Sequence, residues 1–436
     1  MAVSNTTAEI TAPVGLGSRL GHFFAPIPMV GWLLGALVAV VLEQLIGRTL
    51  AVSLGLNKVP VLFGALVILK TPALIPSTLL YVLLIYVLPI VGLGRLCAPL
   101  TNALARLLAS WPLWLSTLLH LVLFYAVLHL WGEMSDYRLI TARLTMVAVI
   151  TTLSLNLING YMGEFSCSHP GFMAVGAYAT SVVTVLFFAK DKLYGAPLLP
   201  PEIGFLFFPV ALIIGGMAAA LSSLVVAIPS FRTRGDYLAI ISLAFLFIVK
   251  SLIENLEIIG GPRGLSSQPN YATLPVVFCV TVLSVWIINN FVNSTFGKAC
   301  NAVRDFESAA DAMSVNTRRT KMVTFMFSAF WAGVAGGLFA HVLRYVNPAT
   351  FGLQKLAEVL AMVYFGGLNS VVGSIVGAVS ISVLGEALRP LEIFKWIVIP
   401  LLLILVMIYR PTGLIAFREF NVRKILQPKT QPGKEG

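Results

Sequence analysis

The amino-acid sequence consists mainly of apolar runs of about 20 residues, separated by short polar segments. A bilayer core about 30 Å thick requires about 20 apolar residues in helical form, because lipid offers backbone groups no hydrogen-bonding partners. Hydrophobic residues make up 58% of the chain and charged residues only 11%, against about 25% in soluble domains. Soluble, disordered and secreted disulfide-rich proteins are thereby excluded. The sequence predicts an all-α polytopic membrane protein.

The apolar runs predict about ten to twelve transmembrane helices, some of them interrupted. The predicted spans are 29–46, 73–92, 112–131, 138–160, 169–189, 205–229, 236–257, 273–293, 322–343, a short 355–367, 371–388 and 392–409. We expect the stretch 59–69 to lie in the membrane interface. Residues 1–28 are polar and lack the pattern of a cleaved signal peptide.

The same pattern divides the chain into three parts. Residues 1–130 form an N-terminal extension with about three transmembrane helices. Residues 131–415 form the core, which contains a long polar segment at 294–321. Residues 416–436 form a basic tail.

Lysine and arginine concentrate in four polar regions, as is typical of loops on the cytoplasmic side. These regions hold Arg95 and Arg106; Arg232 and Arg234; Lys298, Arg304, Arg318, Arg319 and Lys321; and Arg410, Arg418, Arg423, Lys424, Lys429 and Lys434. The loops between them are acidic or mixed, and the four regions fall on one side when the crossings are counted. Both termini are therefore expected in the cytoplasm.

Two runs of Gly, Asn and Ser interrupt the apolar pattern at membrane depth. The first interruption covers residues 156–171 and the second covers residues 366–374. Irregular backbone within a membrane persists only where it is buried in protein or lines a wet cavity. Paired interruptions in two halves of a transporter indicate a translocation path. The alternative is a tight loop between two short helices in each case.

Polar side chains of the first interruption are candidates to contact a solute, because they would be costly facing lipid. The candidate path residues are Asn156, Asn159, Ser166, Ser168 and His169, with Phe172 as an apolar wall. Helix ends freed by a break could supply donors and acceptors to a polar solute. A purely structural role for His169 is an equal alternative.

The polar segment 294–321 is rich in Ala, Asp, Glu and Arg and has neither Pro nor Gly between Lys298 and Met313. This composition predicts a helix over 302–313 outside the membrane, with Asn316 and Thr317 introducing the next helix. Such a helix suits docking into a groove of a partner protein. Its candidate docking residues are Arg304, Asp305, Glu307, Ala309 and Ala310. An ordinary solvated loop is the alternative.

Neither catalytic nor metal-binding chemistry is indicated by the sequence. The four cysteines are far apart, the five histidines are scattered, and no nucleotide-binding fingerprint is present. The net charge of +11 lies in loops and at the C-terminus rather than on one soluble face, which argues against nucleic acid. No catalytic residue, metal site or bound cofactor is therefore expected in this chain.

Several motifs in order give a more specific resemblance. They are NLINGYMGEFSCSHPGFMAVGAY (156–178), FRTRGDYLAIISLAF (231–245), IIGGPRGLS (258–266), AVRDFESAADAMSVNTRRTK (302–321) and LAMVYFGGLNSVVGSIVGA (360–378). Together they resemble the M-type permease of branched-chain amino-acid ABC importers over roughly 140–415. Ser314 departs from the family pattern, which has glycine there, and Glu164 stands where Gln is common. Residues 166–169 read SCSH where relatives read SLGH, and Pro170 replaces a small apolar residue.

The resemblance implies a type II-like importer bundle in a bacterial inner membrane, carrying leucine, isoleucine and valine. It implies an H-type permease as heterodimer partner, two ATPases that bind the ATP, and a periplasmic amino-acid-binding protein. The segment 302–313 would be the part that couples to the ATPases. Urea or another small solute of the same superfamily is an alternative substrate.

An ion-coupled secondary transporter is the alternative from a different class. It would also have broken helices, but it needs carboxylates within the membrane to carry the coupling ion. Glu358 and Glu386 are the candidates for that role. A transporter of this class would have no use for a docking helix at 302–313.

Overall fold

The computed structural model describes residues 24–56, 58–60, 71–191, 194–231, 237–389, 392–410, 412–417 and 420–429. Within these ranges the chain is almost entirely helical, as predicted. Most of the interfacial stretch predicted at 59–69 lies outside the described residues, as do the basic markers Arg232, Arg234, Arg418 and Lys434.

The helices follow the apolar runs closely. In chain order they are α1 (Met29–Ser53), α2 (Pro72–Leu96), α3 (Ala98–Ala109), α4 (Leu113–Glu133), α5 (Asp136–Met162), α6 (His169–Phe188), α7 (Gly204–Ser230), α8 (Tyr237–Asn255), α9 (Leu274–Asn293), α10 (Thr295–Ala312), α11 (Thr317–Leu343), α12 (Leu353–Gly366), α13 (Val371–Ala387), α14 (Glu392–Tyr409) and α15 (Val422–Leu426). Short 3₁₀ turns cover Pro201–Ile203, Glu257–Ile259, Gly261–Arg263 and Pro348–Phe351. The single two-stranded sheet among the described residues pairs β1 (Leu265–Ser266) antiparallel with β2 (Tyr345–Val346).

Among the described residues, nine helices are long and apolar enough to cross a membrane. They are α1, α2 and α4 through α9, together with α11. Shorter apolar helices lie at Val371–Ala387 and Ile397–Tyr409. The prediction of an all-α polytopic membrane protein is confirmed.

The chain divides into two compact units. The first unit comprises the described residues of 1–131 together with those of 421–436, and the second comprises 132–420. Within the first unit, the Lys429 amide near the C-terminal end donates a hydrogen bond of 2.9 Å to Oδ1 of Asn102.

The first unit contains an element that the apolar pattern did not predict. Between Arg95 and Arg106, where a loop was expected, the chain forms α3. The buried residues of α3 are Ala98, Thr101, Ala105 and Leu108, a spacing of three and four residues that places them on one face. A helix of this length is too short to cross a bilayer.

In the second unit, glycines let α6, α7 and α11 cross with their backbones nearly touching. A Cβ added at Gly176 would collide with the Gly333 backbone, and one added at Gly336 would collide with the carbonyl of Met173. Gly333 in turn lies against Gly215 and Gly216 of α7. Close backbone approach gains the dispersion contacts that hold helices together where lipid supplies no hydrophobic drive. These three helices form one closely packed group, and the first interruption leads directly into α6.

Candidate functional site

The first interruption breaks the backbone in two stages. Helix α5 is α-helical to Asn156 and then widens into a π-helix over Leu157–Met162. Gly163 adopts a left-handed conformation with φ of 75°, and the chain stays irregular until α6 begins at His169. The predicted departure from continuous helix is confirmed. Most of the segment is buried, with Gly163, Glu164 and Phe165 the parts that reach the surface.

Asn156 joins the first interruption to the second. Its Nδ2 donates to the Ser374 hydroxyl at 2.6 Å and to the Ser370 carbonyl at 3.1 Å. Its Oδ1 accepts from the backbone amide of Asn369 at 3.2 Å. Gly160 is required beside this contact, because a Cβ there would collide with the Asn156 side chain. The two interruptions, more than 200 residues apart in sequence, are therefore one hydrogen-bonded structure.

Three other candidate path residues, Asn159, Ser166 and Ser168, form hydrogen bonds within the irregular segment. The Ser166 amide donates to Oδ1 of Asn159 at 3.2 Å, and the hydroxyls of Ser166 and Ser168 lie 2.9 Å apart. Ser166 and Ser168 are fully buried. The neighbouring Cys167 amide donates to the Ser242 hydroxyl of α8 at 2.9 Å. These bonds satisfy backbone and hydroxyl groups that have no helical partner.

His169 and Phe172 pack away from the irregular segment, against α8 and α11. Nε2 of His169 lies 3.0 Å from the Ser328 hydroxyl, which itself donates to the Ser154 carbonyl at 2.6 Å. The Ser328 proton is thus committed, so Nε2 is the donor in this pair. The Phe172 ring is fully buried and contacts the rings of His169, Phe245 and Phe325.

The polar segment forms a broken helix rather than the single helix predicted over 302–313. Phe306 has extended backbone angles (φ −162°, ψ 99°), so α10 consists of two helical pieces on either side of it. Tertiary contacts explain the break. Arg304, before it, donates to the Gly160 carbonyl at 3.3 Å, and Glu307, after it, pairs with Lys321. Local helix propensity has no information about either contact, and tertiary structure overrides it here.

Lys321 links the polar segment directly to the first interruption. Its Nζ lies 2.6 Å from Glu164 and 2.9 Å from Glu307, while its own side chain is only 11% exposed. An interior ammonium needs such partners, because desolvating an unpaired charge costs several kcal/mol. The Phe231 ring lies 5.9 Å from the same ammonium. We call Lys321, Glu164 and Glu307 the ion-pair junction.

Arg304 makes a second link between the same two segments. Its guanidinium pairs with Asp305 at 2.9 Å and stacks over Phe417 at 5.5 Å. The aliphatic stem lies against Gly163, where an added Cβ would collide with it. Because Gly163 also has a positive φ, that position excludes other residues on two grounds.

The candidate docking residues separate into exposed and buried ones. Asp305, Glu307 and Ala309 are exposed, but Ala310 is only 5% exposed and packs inside the chain. Of the two alanines predicted to take part in docking, only Ala309 is therefore accessible. Two large apolar side chains on this surface, Phe306 at 66% and Met313 at 80% exposure, were not among the predicted docking residues. The sequence does contain a signal for them, because a large apolar residue within a polar segment is a candidate for contact with a partner protein.

The fold and these contacts define a multi-pass membrane protein of the permease class. The chain belongs to the family of permease components of branched-chain amino acid transport systems, whose model matches residues 137–408. No solved structure matches this chain significantly.

Two LivM relatives match about 63% of this chain. The permease protein LivM of the high-affinity branched-chain amino acid transport system of Escherichia coli K12 is 32% identical over 309 residues, which is 63% of this chain and 69% of that protein. LivM of Salmonella typhimurium LT2 is 30% identical with the same coverage. The LivH permease of Salmonella typhimurium is 29% identical over 169 residues, covering 38% of this chain and 54% of LivH.

The hydrogen bonds of Asn156 give a first prediction. Asn156→Ala would leave the Asn369 amide and the Gly367 carbonyl without their side-chain partner, at a cost of about 1–3 kcal/mol. We expect a clearly lower melting temperature for the detergent-purified protein. Asn293→Ala is the matched control, because Asn293 is exposed and bonds only within its own helix turn. Equal melting temperatures for the two variants would contradict the joining role of Asn156.

Proposed function

We propose that this chain is a permease subunit of an ATP-binding cassette importer that carries leucine, isoleucine and valine across a bacterial inner membrane. The family match and the names of the LivM relatives, which are permeases for branched-chain amino acids, support the transport class and the substrate. The ion-pair junction is the structural observation that carries the proposal. It ties a polar, solvent-exposed segment to an interrupted transmembrane helix, which is the connection that an externally driven permease needs.

The proposed assembly contains an H-type permease, two ATPases and a periplasmic amino-acid-binding protein. LivM and LivH are two different permease proteins, and both are named for the high-affinity branched-chain amino acid transport system. This supports a pair of dissimilar membrane subunits. In this proposal the ATPases bind and hydrolyse the ATP. The remaining surface of the long helices contacts membrane lipid.

The polar segment is the proposed ATPase contact. Phe306 and Met313 provide the exposed apolar anchors, and Arg304, Asp305, Glu307 and Ala309 surround them. Large apolar side chains at the centre of an interface supply much of its binding energy, while surrounding polar groups exclude water. Ala310 supports this surface from beneath by packing inside the chain.

Movement of the polar segment would reach the membrane through the ion-pair junction. Glu307 follows directly after the break at Phe306, so the piece 307–312 can shift separately from 295–305. A shift of Glu307 pulls on Lys321 and thus on Glu164 of the first interruption. Such coupling transfers free energy only if the ATP-bound ATPases favour one access state over the other.

The ion-coupled alternative loses support from the contacts of its two carboxylates. Glu358 pairs with Lys355 at 3.2 Å, and Glu386 accepts a hydrogen bond from Tyr137 at 2.9 Å and pairs with Arg389. A carboxylate that carries a coupling ion must exchange it readily, and pairing with a fixed cation opposes that exchange.

Uptake measurements test the substrate. In cells expressing the complete transporter, we expect ATP-dependent uptake of labelled leucine, competed by isoleucine and valine and unaffected by urea. The physical reason is that an apolar pocket accepts branched side chains of similar volume. Urea would lose its hydrogen bonds to water there without gaining others. Competition by urea instead of isoleucine and valine would assign the chain to another solute.

Thiol labelling tests the orientation, in which both termini and the polar segment are cytoplasmic. Met313→Cys in a C97S/C279S background provides an exposed thiol on that segment. Native Cys300 can remain, because it is fully buried and burial raises the pKa of its thiol, so the reactive thiolate is scarce. An impermeant maleimide should label opened membranes and spare intact cells. Labelling in intact cells would reverse the orientation and remove the ATPase contact.

Substitution of Lys321 tests the ion-pair junction. Lys321→Met removes the link between Glu307 and Glu164, so we expect leucine uptake to fall by about tenfold or more while ATP hydrolysis continues. Lys321→Arg keeps the charge and should recover most of the uptake. Lys250→Met is the matched control, since Lys250 pairs with Glu254 one helical turn away on α8. Undiminished uptake with Lys321→Met, at equal protein level, would contradict the junction's role.

A further inference from the structure

A cavity of about 310 Å³ opens between α5, α11, α12 and α13. Its lining includes none of the six candidate path residues. The residues that line it are Thr141, Leu144, Thr145, Val147, Ala148, Thr151, Met173, Phe339, Leu343, Thr350, Gln354, Lys355, Glu358, Val359, Met362, Ser382, Gly385 and Glu386. Volumes of about 300–1,000 Å³ are typical of small-molecule sites.

The cavity lies toward the membrane face opposite the polar segment. It is lined by the first half of α5 and by Phe339 and Leu343 at the end of α11. The second half of α5 continues into the first interruption, which contacts the polar segment through Arg304 and Lys321. With the polar segment on the cytoplasmic side, a solute from outside the cell would meet this cavity first.

The outer part of the cavity wall carries both signs of charge. Nζ of Lys355 lies 3.2 Å from Glu358, and the two side chains are 16% and 20% exposed. The ammonium of Lys355 also lies 5.3 Å from the Phe339 ring. A carboxylate accepts several hydrogen bonds and an ammonium donates three, so their mutual bond exhausts neither group.

Helix α5 adds hydroxyl acceptors on the same wall. The hydroxyls of Thr141 and Thr145 donate to the carbonyls four residues earlier, at 2.8 Å each. With the proton committed in this way, each hydroxyl oxygen remains an acceptor. Glu386, the other acid of the wall, is held by Tyr137 and Arg389. Both Lys355 and Glu358 line the cavity, and a zwitterion, unlike a single coupling cation, brings a partner for each of them.

The inner part of the cavity is apolar. Val147, Ala148, Met173, Val359 and Met362 line it. Below them the Thr152 hydroxyl donates to the Ala148 carbonyl at 2.7 Å and lies 3.3 Å from Sδ of Met362. Asn156, which joins the two interruptions, lies about 7.5 Å further along α5 than Thr151 at 1.5 Å per residue. The joined interruptions thus lie between the cavity and the polar segment.

We propose that this cavity binds the zwitterion of an aliphatic α-amino acid before it crosses the joined interruptions. Glu358 and the threonine oxygens receive its ammonium, Lys355 receives its carboxylate, and the apolar inner part receives its side chain. The proposal rests on the importer function and specifies where in this chain the solute is bound.

A charge swap separates a solute site from a structural ion pair. Glu358→Gln and Lys355→Met should each lower leucine uptake by about tenfold or more, because a charged hydrogen bond to the solute is lost. In the double variant K355E/E358K the ion pair re-forms with its polarity reversed. A structural pair would then recover, whereas we expect uptake to stay low because the solute meets the wrong charges. Glu254→Gln, which breaks the equivalent Lys250–Glu254 pair on α8, should leave uptake unchanged.

Protection of an introduced thiol measures binding without transport. Ser382→Cys in the C97S/C279S background places a thiol on the cavity wall of the complete complex, at a residue with no part in the proposed binding. Leucine should slow its reaction with methyl methanethiosulfonate by about threefold or more at saturating concentration. 4-Methylpentanoate, which lacks the ammonium, and 3-methylbutylamine, which lacks the carboxylate, should not protect. Glu358→Gln should abolish protection by leucine.

The two measurements distinguish the cavity from the importer function. Leucine uptake by the unsubstituted complex, without any protection of the introduced thiol, would overturn the cavity proposal and leave the importer function intact. Recovery of uptake in K355E/E358K would also overturn it. Protection by leucine without ATP-dependent uptake would support the cavity while the importer function fails.

Discussion

The side chain of Asn156 is the contact on which the rest of the candidate site depends. Within a membrane, every backbone group that leaves a helix must find a partner inside the protein. The second interruption leaves the Asn369 amide and the Gly367 carbonyl outside any helix, and Asn156 bonds both. An amide side chain has both donors and an acceptor, whereas an ionised carboxylate only accepts. The two broken helices are thereby held as a single hydrogen-bonded element.

From that element, two charged contacts lead to the surface. Arg304 donates a hydrogen bond to the Gly160 carbonyl, and Lys321 forms ion pairs with both Glu164 and Glu307. The break at Phe306 falls between these two attachment points, so each half of α10 is anchored separately. Exposed ion pairs contribute little, but the ammonium of Lys321 is largely buried, and losing a partner there is costly. These contacts are the proposed route by which a displacement at the surface reaches the broken helices.

Two departures from the family pattern gain a physical explanation from the structure. Glu164, where Gln is common in this family, supplies a full negative charge to Lys321 at 2.6 Å. Ser314, where the family has glycine, adopts a φ of 66°. Glycine reaches that conformation without a steric penalty and serine does not, so this chain carries some strain in the turn before α11.

The sequence by itself determined the helices, since apolar runs of bilayer length admit few other structures, and it located both interruptions by their Gly, Asn and Ser content. It also placed the start of α11 at Asn316, whose side chain caps the Arg319 amide. Only the tertiary structure decided that α10 breaks at Phe306, that Ala310 is buried, and that α3 is a helix. It alone brought Asn156 to Ser374 and Lys321 to Glu164. Such pairings join residues more than 150 positions apart, and local periodicity and propensity carry no information about contacts at that separation.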